Sequence, residues 1–202
     1  MSAMDTLVAI FPFVPLRAKP NDRSEMVSQV LAGEEITVLE HLDGNWIKLR
    51  CNHDGYEGYG DLRHFTDYEP SGEDNATMCV SQALTFEGSD SILVYPAGTR
   101  ITIRAGVVKI AGRTTENFKH SVLFQTIHSL SELAKTFLGV PYLWGGRTFA
   151  GIDCSGLTQI SAKLCSSKHL PRDASDQAGV GSVVSWEERE VNDLAFFINN
   201  KD

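Results

Sequence analysis

Of the four cysteines in this chain, Cys154 sits where a protein places a reactive thiol. It lies between Asp153 and Ser155 at the end of a glycine-studded loop, Gly-Val-Pro-Tyr-Leu-Trp-Gly-Gly-Arg-Thr-Phe-Ala-Gly-Ile-Asp-Cys-Ser-Gly over residues 139–156. A helix-like run follows it. Backbone N–H groups at a helix start favour thiolate over thiol, and glycines let the chain turn sharply and a substrate approach the backbone. The chemistry this predicts is nucleophilic attack by sulfur. Competing chemistry is poorly supported. Cys51, His53 and Cys79 match no zinc spacing, and Gly145-Gly146 lacks the Lys-Ser/Thr of a phosphate cradle. No metal and no cofactor is expected.

The elements that must hold the thiol are legible on either side. Ser129 or Ser131 caps a predicted helix through Leu138, with Leu130, Leu133, Ala134 and Phe137 on one face and Gly139 and Pro141 as its stop. A second helix is predicted from near Cys154. Leu157, Ile160 and Leu164 follow at spacings of three and four, which puts Cys154 on the face that packs inward. Cys165 is then about 16 Å away along the helix, beyond disulfide reach, and reads as a core residue. Trp144 reads as core as well. Val191 to Ile198 reads as a buried strand.

Residues 1–68 look all-β. Val27–Val30, Glu35–Leu39, Trp46–Cys51 and Glu57–Gly60 are strand candidates, punctuated by Asn21-Asp22, Gly33, Asp43-Gly44 and Asp54-Gly55. Leu7 to Leu16 reads as a buried first strand and turn rather than a signal peptide, because Asp5 precedes it and Pro12 and Pro15 interrupt it. Residues 66–77 are polar with Pro and Gly and read as a linker. Residues 69–126 read as a second, degenerate β module, with strands at Ile92–Tyr95, Thr99–Arg104 and Val107–Ile110.

The 202 residues carry a net charge of -8 with no basic cluster, which argues against a nucleic-acid partner. No stretch approaches the length of a membrane span. The sparse cysteines fit a reducing compartment, so the cytoplasm is expected ahead of the periplasm or secretion.

Residues 139–177 resemble the NlpC-type cysteine peptidases, papain-like enzymes that cut peptidoglycan peptides. Pro141-Tyr142, Trp144-Gly145-Gly146, Gly151-Ile152-Asp153-Cys154-Ser155-Gly156 and Leu170-Pro171-Arg172-Asp173 with Gln177 match in order and spacing, and Asn192-Asp193-Leu194-Ala195-Phe196-Phe197 resembles the family's Gly-Asp-Leu-x-Phe-Phe strand. Residues 5–66 resemble a bacterial SH3-like domain, through Gly44-Asn45-Trp46-Ile47-Lys48-Leu49 and Gly55-Tyr56-Glu57-Gly58-Tyr59. The resemblance implies SH3-like barrels over 1–68 and 69–126, then an α+β papain-like domain over 127–202 that is incomplete at its C-terminus. It implies a peptidoglycan-derived peptide as partner and cleavage between γ-D-glutamate and a diamino acid.

By the same resemblance Cys154 is the nucleophile and Tyr142 helps hold the oxyanion. Asp153 and Ser155 recognise the peptide's free amine, Arg172 meets a peptide carboxylate, and Tyr56 and Glu57 wall the pocket. The family's general base is a His after the Asp-Leu-x-Phe-Phe strand, expected here beyond residue 202. His169 lies about 20 Å along the helix from Cys154, and His41, His53, His64, His120 and His128 all precede the motif. The alternatives are a module that binds murein peptides without turnover, and acyl transfer by the same thiol.

Overall fold

The computed structural model describes residues 5–67, 76–78, 83–87, 92–104, 107–110, 113–115, 129–166 and 169–197. Cys79, His120 and His128 lie outside them, as does most of the expected linker.

The N-terminal strands follow the turn signals. β1 (Thr6–Ala9) and β2 (Phe13–Arg17) come from the apolar Leu7–Leu16 stretch, bent between them. β3 (Met26–Leu31), β4 (Glu35–His41), β5 (Trp46–Cys51), β6 (Glu57–Asp61) and β7 (Phe65–Asp67) complete an antiparallel sheet of order β3-β2-β6-β5-β4-β1-β7. In β2, β4 and β5 every second residue turns inward. Val14, Leu16, Ile36, Val38, Ile47 and Leu49 meet in one core, the period-two pattern of a sheet with one buried face. Each such aliphatic contributes roughly 1.5–3 kcal/mol when fully buried.

The middle of the chain forms two small sheets. β9 (Ala83–Glu87) and β10 (Ile92–Pro96) make a hairpin, and β8 (Ala76–Met78), β11 (Arg100–Arg104), β12 (Val107–Ile110) and β13 (Arg113–Thr115) make a four-stranded sheet of order β13-β12-β11-β8. The turn joining β10 to β11 is wedged between the rest. The Arg100 N–H donates to Ala32 O at 3.0 Å.

The C-terminal part carries α1 (Leu130–Lys135), the short ladder β14 (Arg147–Thr148) and β15 (Gly151–Ile152), then α2 (Cys154–Ser166) and α3 (Ala174–Ala178). Ile160 of α2 packs in a second core with Leu31 of β3, Ala97 of the wedged turn, Phe137 and Ile152. That core therefore draws on all three parts of the chain.

Gly98 makes this contact possible. Its φ is +87°, and a Cβ there would sit 2.4 Å from Ile160 Cδ1. Gly98→Ala combines an unfavourable backbone conformation with overpacking. It should cost about 1–3 kcal/mol, read as a lower urea midpoint at unchanged slope.

Residues 191–197 do not form the expected buried strand. No described strand pairs with them, and Val191, Phe196 and Phe197 are exposed. A strand is held by its neighbour's backbone groups, and an apolar pattern alone does not supply one. Among the described residues, no helix is long and apolar enough to cross a membrane.

Candidate active site

A fold-back of the loop builds the site. Tyr142 bridges to Ile152 in parallel. The Leu143 N–H donates to Ile152 O at 3.2 Å, and the Ile152 N–H to Pro141 O at 3.0 Å. This closure sets Tyr142 beside a residue two positions before Cys154, although twelve positions separate it from the thiol in sequence.

Asp153 is the joint of the loop. Its Oδ1 accepts from the Gly156 N–H at 2.7 Å, the N-cap bond that starts α2. Its Oδ2 accepts from the Gly145 N–H at 2.8 Å. Gly145 holds φ at +77°, and a Cβ there would come within 2.4 Å of Met26 O. The nucleophile loop is thereby pressed onto the backbone of β3. Cys154 is the first residue of α2 and is exposed. The sequence periodicity had placed it on the inward face. At the first helical position the apolar stripe has not yet turned to the core.

The second motif grips the first. Arg172 is buried and forks onto Asp153, with Nη2–Oδ2 at 2.6 Å and Nη1–Oδ1 at 3.1 Å. It also donates to Ser155 Oγ at 2.8 Å and to Ser28 Oγ at 3.1 Å. Gln177 Nε2 donates to Ser155 O and Pro171 O. The sequence reading has Arg172 meet a peptide carboxylate; in the structure four of its N–H donors brace the loop and Ser28 of β3.

A cavity of about 410 Å³ opens over Cys154. Tyr142 and Trp144 line it from the C-terminal part, and Val27 and Tyr56 from the β-sheet part, while Asp153, Ser155 and Arg172 also contribute to its lining. Burial, then the neighbouring Cys154 and Asp153, push the Tyr142 phenol up, so it keeps its donor proton at neutral pH. Burial first, and Asp173 second, push Tyr56 up to about 12.

Six of the residues expected at the site thus share the cavity: Cys154, Tyr142, Asp153, Ser155, Arg172 and Tyr56. Glu57 does not. It projects from β6 into solvent, paired with Lys48 at 3.1 Å and Arg50 at 3.0 Å; its neighbour Tyr56, just before the strand, lines the cavity instead. Trp144 is 60% exposed at the cavity wall rather than in the core. Two acids at the cavity were missed as functional residues, Glu25 and Asp173. Asp173 belongs to the second motif, which offered a signal. Glu25 stands in a polar turn, and nothing in its spacing links it to Cys154.

Among the described residues, no histidine lines this cavity. His53 and His169 face each other, ring centroids 6.0 Å apart, in a separate cavity of about 340 Å³ with Glu34, Lys163 and Arg100. The ligand atoms of Cys51, His53 and Asp54 lie within 4.8 Å of one another. Arg147 and Lys163 already supply positive charge there: both pair with buried Glu34, at 3.1 and 2.5 Å. Burial, then Asp54 and Glu34, push the Cys51 thiol well up, and a protonated thiol is a poor ligand. The cluster is an ion-pair network between β-sheet and helix.

Residues 139–202 match the NlpC/P60 family, and residues 16–62 match the bacterial dipeptidyl-peptidase Sh3 domain. The gamma-D-glutamyl-L-lysine dipeptidyl-peptidase of Bacillus subtilis is 40% identical over 72 residues, covering 36% of this chain and 24% of that protein. The protein of the same name from Bacillus cereus is 24% identical over 212 residues, covering 88% of this chain and 62% of its own. The chain therefore spans about three-fifths or less of the length of these curated relatives. A crystal structure of an NlpC/P60 family protein from Bacillus cereus superposes with a TM-score of 0.76 at 18% identity, over 92% of this chain and 80% of that one. At that identity the likeness establishes the fold.

Proposed function

We propose that this chain, which joins an SH3 domain of the bacterial dipeptidyl-peptidase type to an NlpC/P60 domain, is a cysteine peptidase hydrolysing the γ-D-glutamyl–diamino acid bond of peptidoglycan stem peptides. The observation that carries this reading is the shared cavity: an exposed thiol on the first residue of a helix, a protonated tyrosine beside it, and a wall donated by the SH3 domain. The relatives named for that bond support the choice of substrate.

In this mechanism the Cys154 sulfur attacks the γ-glutamyl carbonyl. The Cys154 backbone N–H and the Tyr142 hydroxyl donate to the oxygen as it becomes negative. Collapse expels the amine of the diamino acid, which takes up a proton, and water then hydrolyses the thioester. Glu25, Asp173, Tyr56 and Trp144 line the same cavity, an acidic and aromatic setting that suits the peptide's free ammonium. Asp153 and Ser155 contribute there through the shape of the loop, since their polar atoms are engaged with Arg172, Gly145 and Gly156. The mechanism needs an imidazole to activate the thiol and protonate the leaving amine, and among the described residues no histidine lines the cavity. A reducing compartment keeps the thiol competent.

A second reading, peptide binding without turnover, is favoured by one observation: no described histidine lines the cavity. Incubation with L-Ala-γ-D-Glu-diaminopimelate separates the two. Release of L-Ala-γ-D-Glu, lost in Cys154→Ala, is the expected result. Binding without release supports the second reading, and neither binding nor release overturns both.

A further inference from the structure

We propose that Asp54 and Gln159 form a positioning pair that sets the Tyr56 wall at a fixed place relative to Cys154, and so determines peptide affinity. The proposal rests on the peptidase reading of the cavity.

Asp54 lies in the turn between β5 and β6, and its side chain is 1% exposed. Its Oδ1 accepts from the Tyr56 N–H at 3.0 Å. Its Oδ2 accepts from Gln159 Nε2 at 2.8 Å. Gln159 is on α2, five residues after Cys154, or about 7.5 Å along the helix axis, and is also buried. The same amide donates to Leu170 O at 3.0 Å, at the head of the segment that carries Asp173. Asp173 in turn lines the same cavity as Tyr56.

These bonds link the Tyr56 wall to the helix that begins with the nucleophile. Tyr56 is held at its backbone by Asp54. Gln159 ties Asp54 and the segment that carries Asp173 to that helix. A buried amide with two donors on two acceptors from different parts of the chain is a rigid spacer, since leaving either acceptor open carries the full desolvation penalty. His53 Nε2 lies 3.2 Å from Asp54 Oδ2. Burial opposes the charge on Asp54, but the neighbouring His53 and Arg147 hold its carboxyl below the usual range. Asp54 is therefore an anion at neutral pH, and its bonds to Tyr56 and Gln159 are of the stronger, charge-assisted kind.

Asp54→Asn tests the pair without changing its size. One amide oxygen still serves Tyr56, but the new NH2 faces the Gln159 NH2, donor against donor. Gln159→Met removes the spacer from the other side. Affinity for L-Ala-γ-D-Glu-diaminopimelate is measured by calorimetry in a Cys154→Ala background. The rate of iodoacetamide alkylation at Cys154 is measured with the cysteine in place. The expected result is a peptide affinity at least about tenfold weaker in either variant, with the alkylation rate unchanged. In a Tyr56→Ala background, Asp54→Asn should add little, because the two act in series.

Unchanged affinity in Asp54→Asn and Gln159→Met overturns the proposal. So does a parallel fall in alkylation, which would mark general loosening of the fold, and so does full additivity with Tyr56→Ala. Absence of peptide binding in the Cys154→Ala parent itself overturns the peptidase reading, and this proposal falls with it.

Discussion

Asp153→Asn should destabilise the chain by about 3–5 kcal/mol, a fall in Tm on the order of 10 °C for a chain of this size. The substitution changes one atom type and removes one charge. It leaves Arg172, buried among Asp153, Ser155 and Ser28, with no counter-charge. Breaking one side of a buried pair is costly because the remaining ion stays desolvated. The same change weakens the cap on α2 at Gly156 and the brace on Gly145, so alkylation of Cys154 should slow as well. The control is Asp61→Asn. That carboxylate pairs with Arg63, whose side chain is 71% exposed, and its loss should cost under about 1 kcal/mol. Equal effects of the two substitutions in differential scanning calorimetry would refute the central place given to Asp153.

Glu34→Gln should be as severe, and its signature is pH dependence. Glu34 is buried between Arg147, Lys163 and His53. Burial works against its charge, yet Arg147, His53 and Lys163 outweigh that and hold its carboxyl well below the usual range. A carboxyl lowered on folding stabilises the fold above its unfolded pKa, about 4.3, and that contribution is lost as pH falls through the folded value. The natural chain should therefore lose stability steeply below about pH 4. Glu34→Gln, weaker at pH 7 by about 3–5 kcal/mol because two cations stay buried, should show a shallower decline over the same range. Urea midpoints at pH 7, 5, 4 and 3 check both slopes. Parallel curves would sink the assignment.

The strands of the SH3 part were legible because local rules decide them. Gly33, Gly44 and Gly55 each take positive φ at the turns where the sequence marks breaks, and the alternation between them needs no distant partner. The same holds for α1 and α2, whose apolar spacing is helical. The thiol, its tyrosine and the glycine loop were legible as a spaced motif. What failed depends on contacts remote in sequence. Arg172 is a lone arginine until Asp153 and Ser28 are brought to it. Glu34 meets Arg147 and Lys163 across more than a hundred positions. Trp144 reads as core in the sequence, but the tight loop around Gly145 turns it over the cavity. Val191–Phe197 has a strand's pattern and, among the described residues, no partner to make it one.

The β-sheet half lends the nucleophile half the carbonyl of Gln29, the hydroxyl of Ser28 and the carboxylates of Glu34 and Asp54. Severed from it, the C-terminal half would present three cations, Arg147, Lys163 and Arg172, on a face shaped for something else. The two halves are therefore not interchangeable cassettes. A recombination event that swapped one SH3 domain for another would have to carry those four acceptors with it, which makes the junction, more than either module, the unit of inheritance.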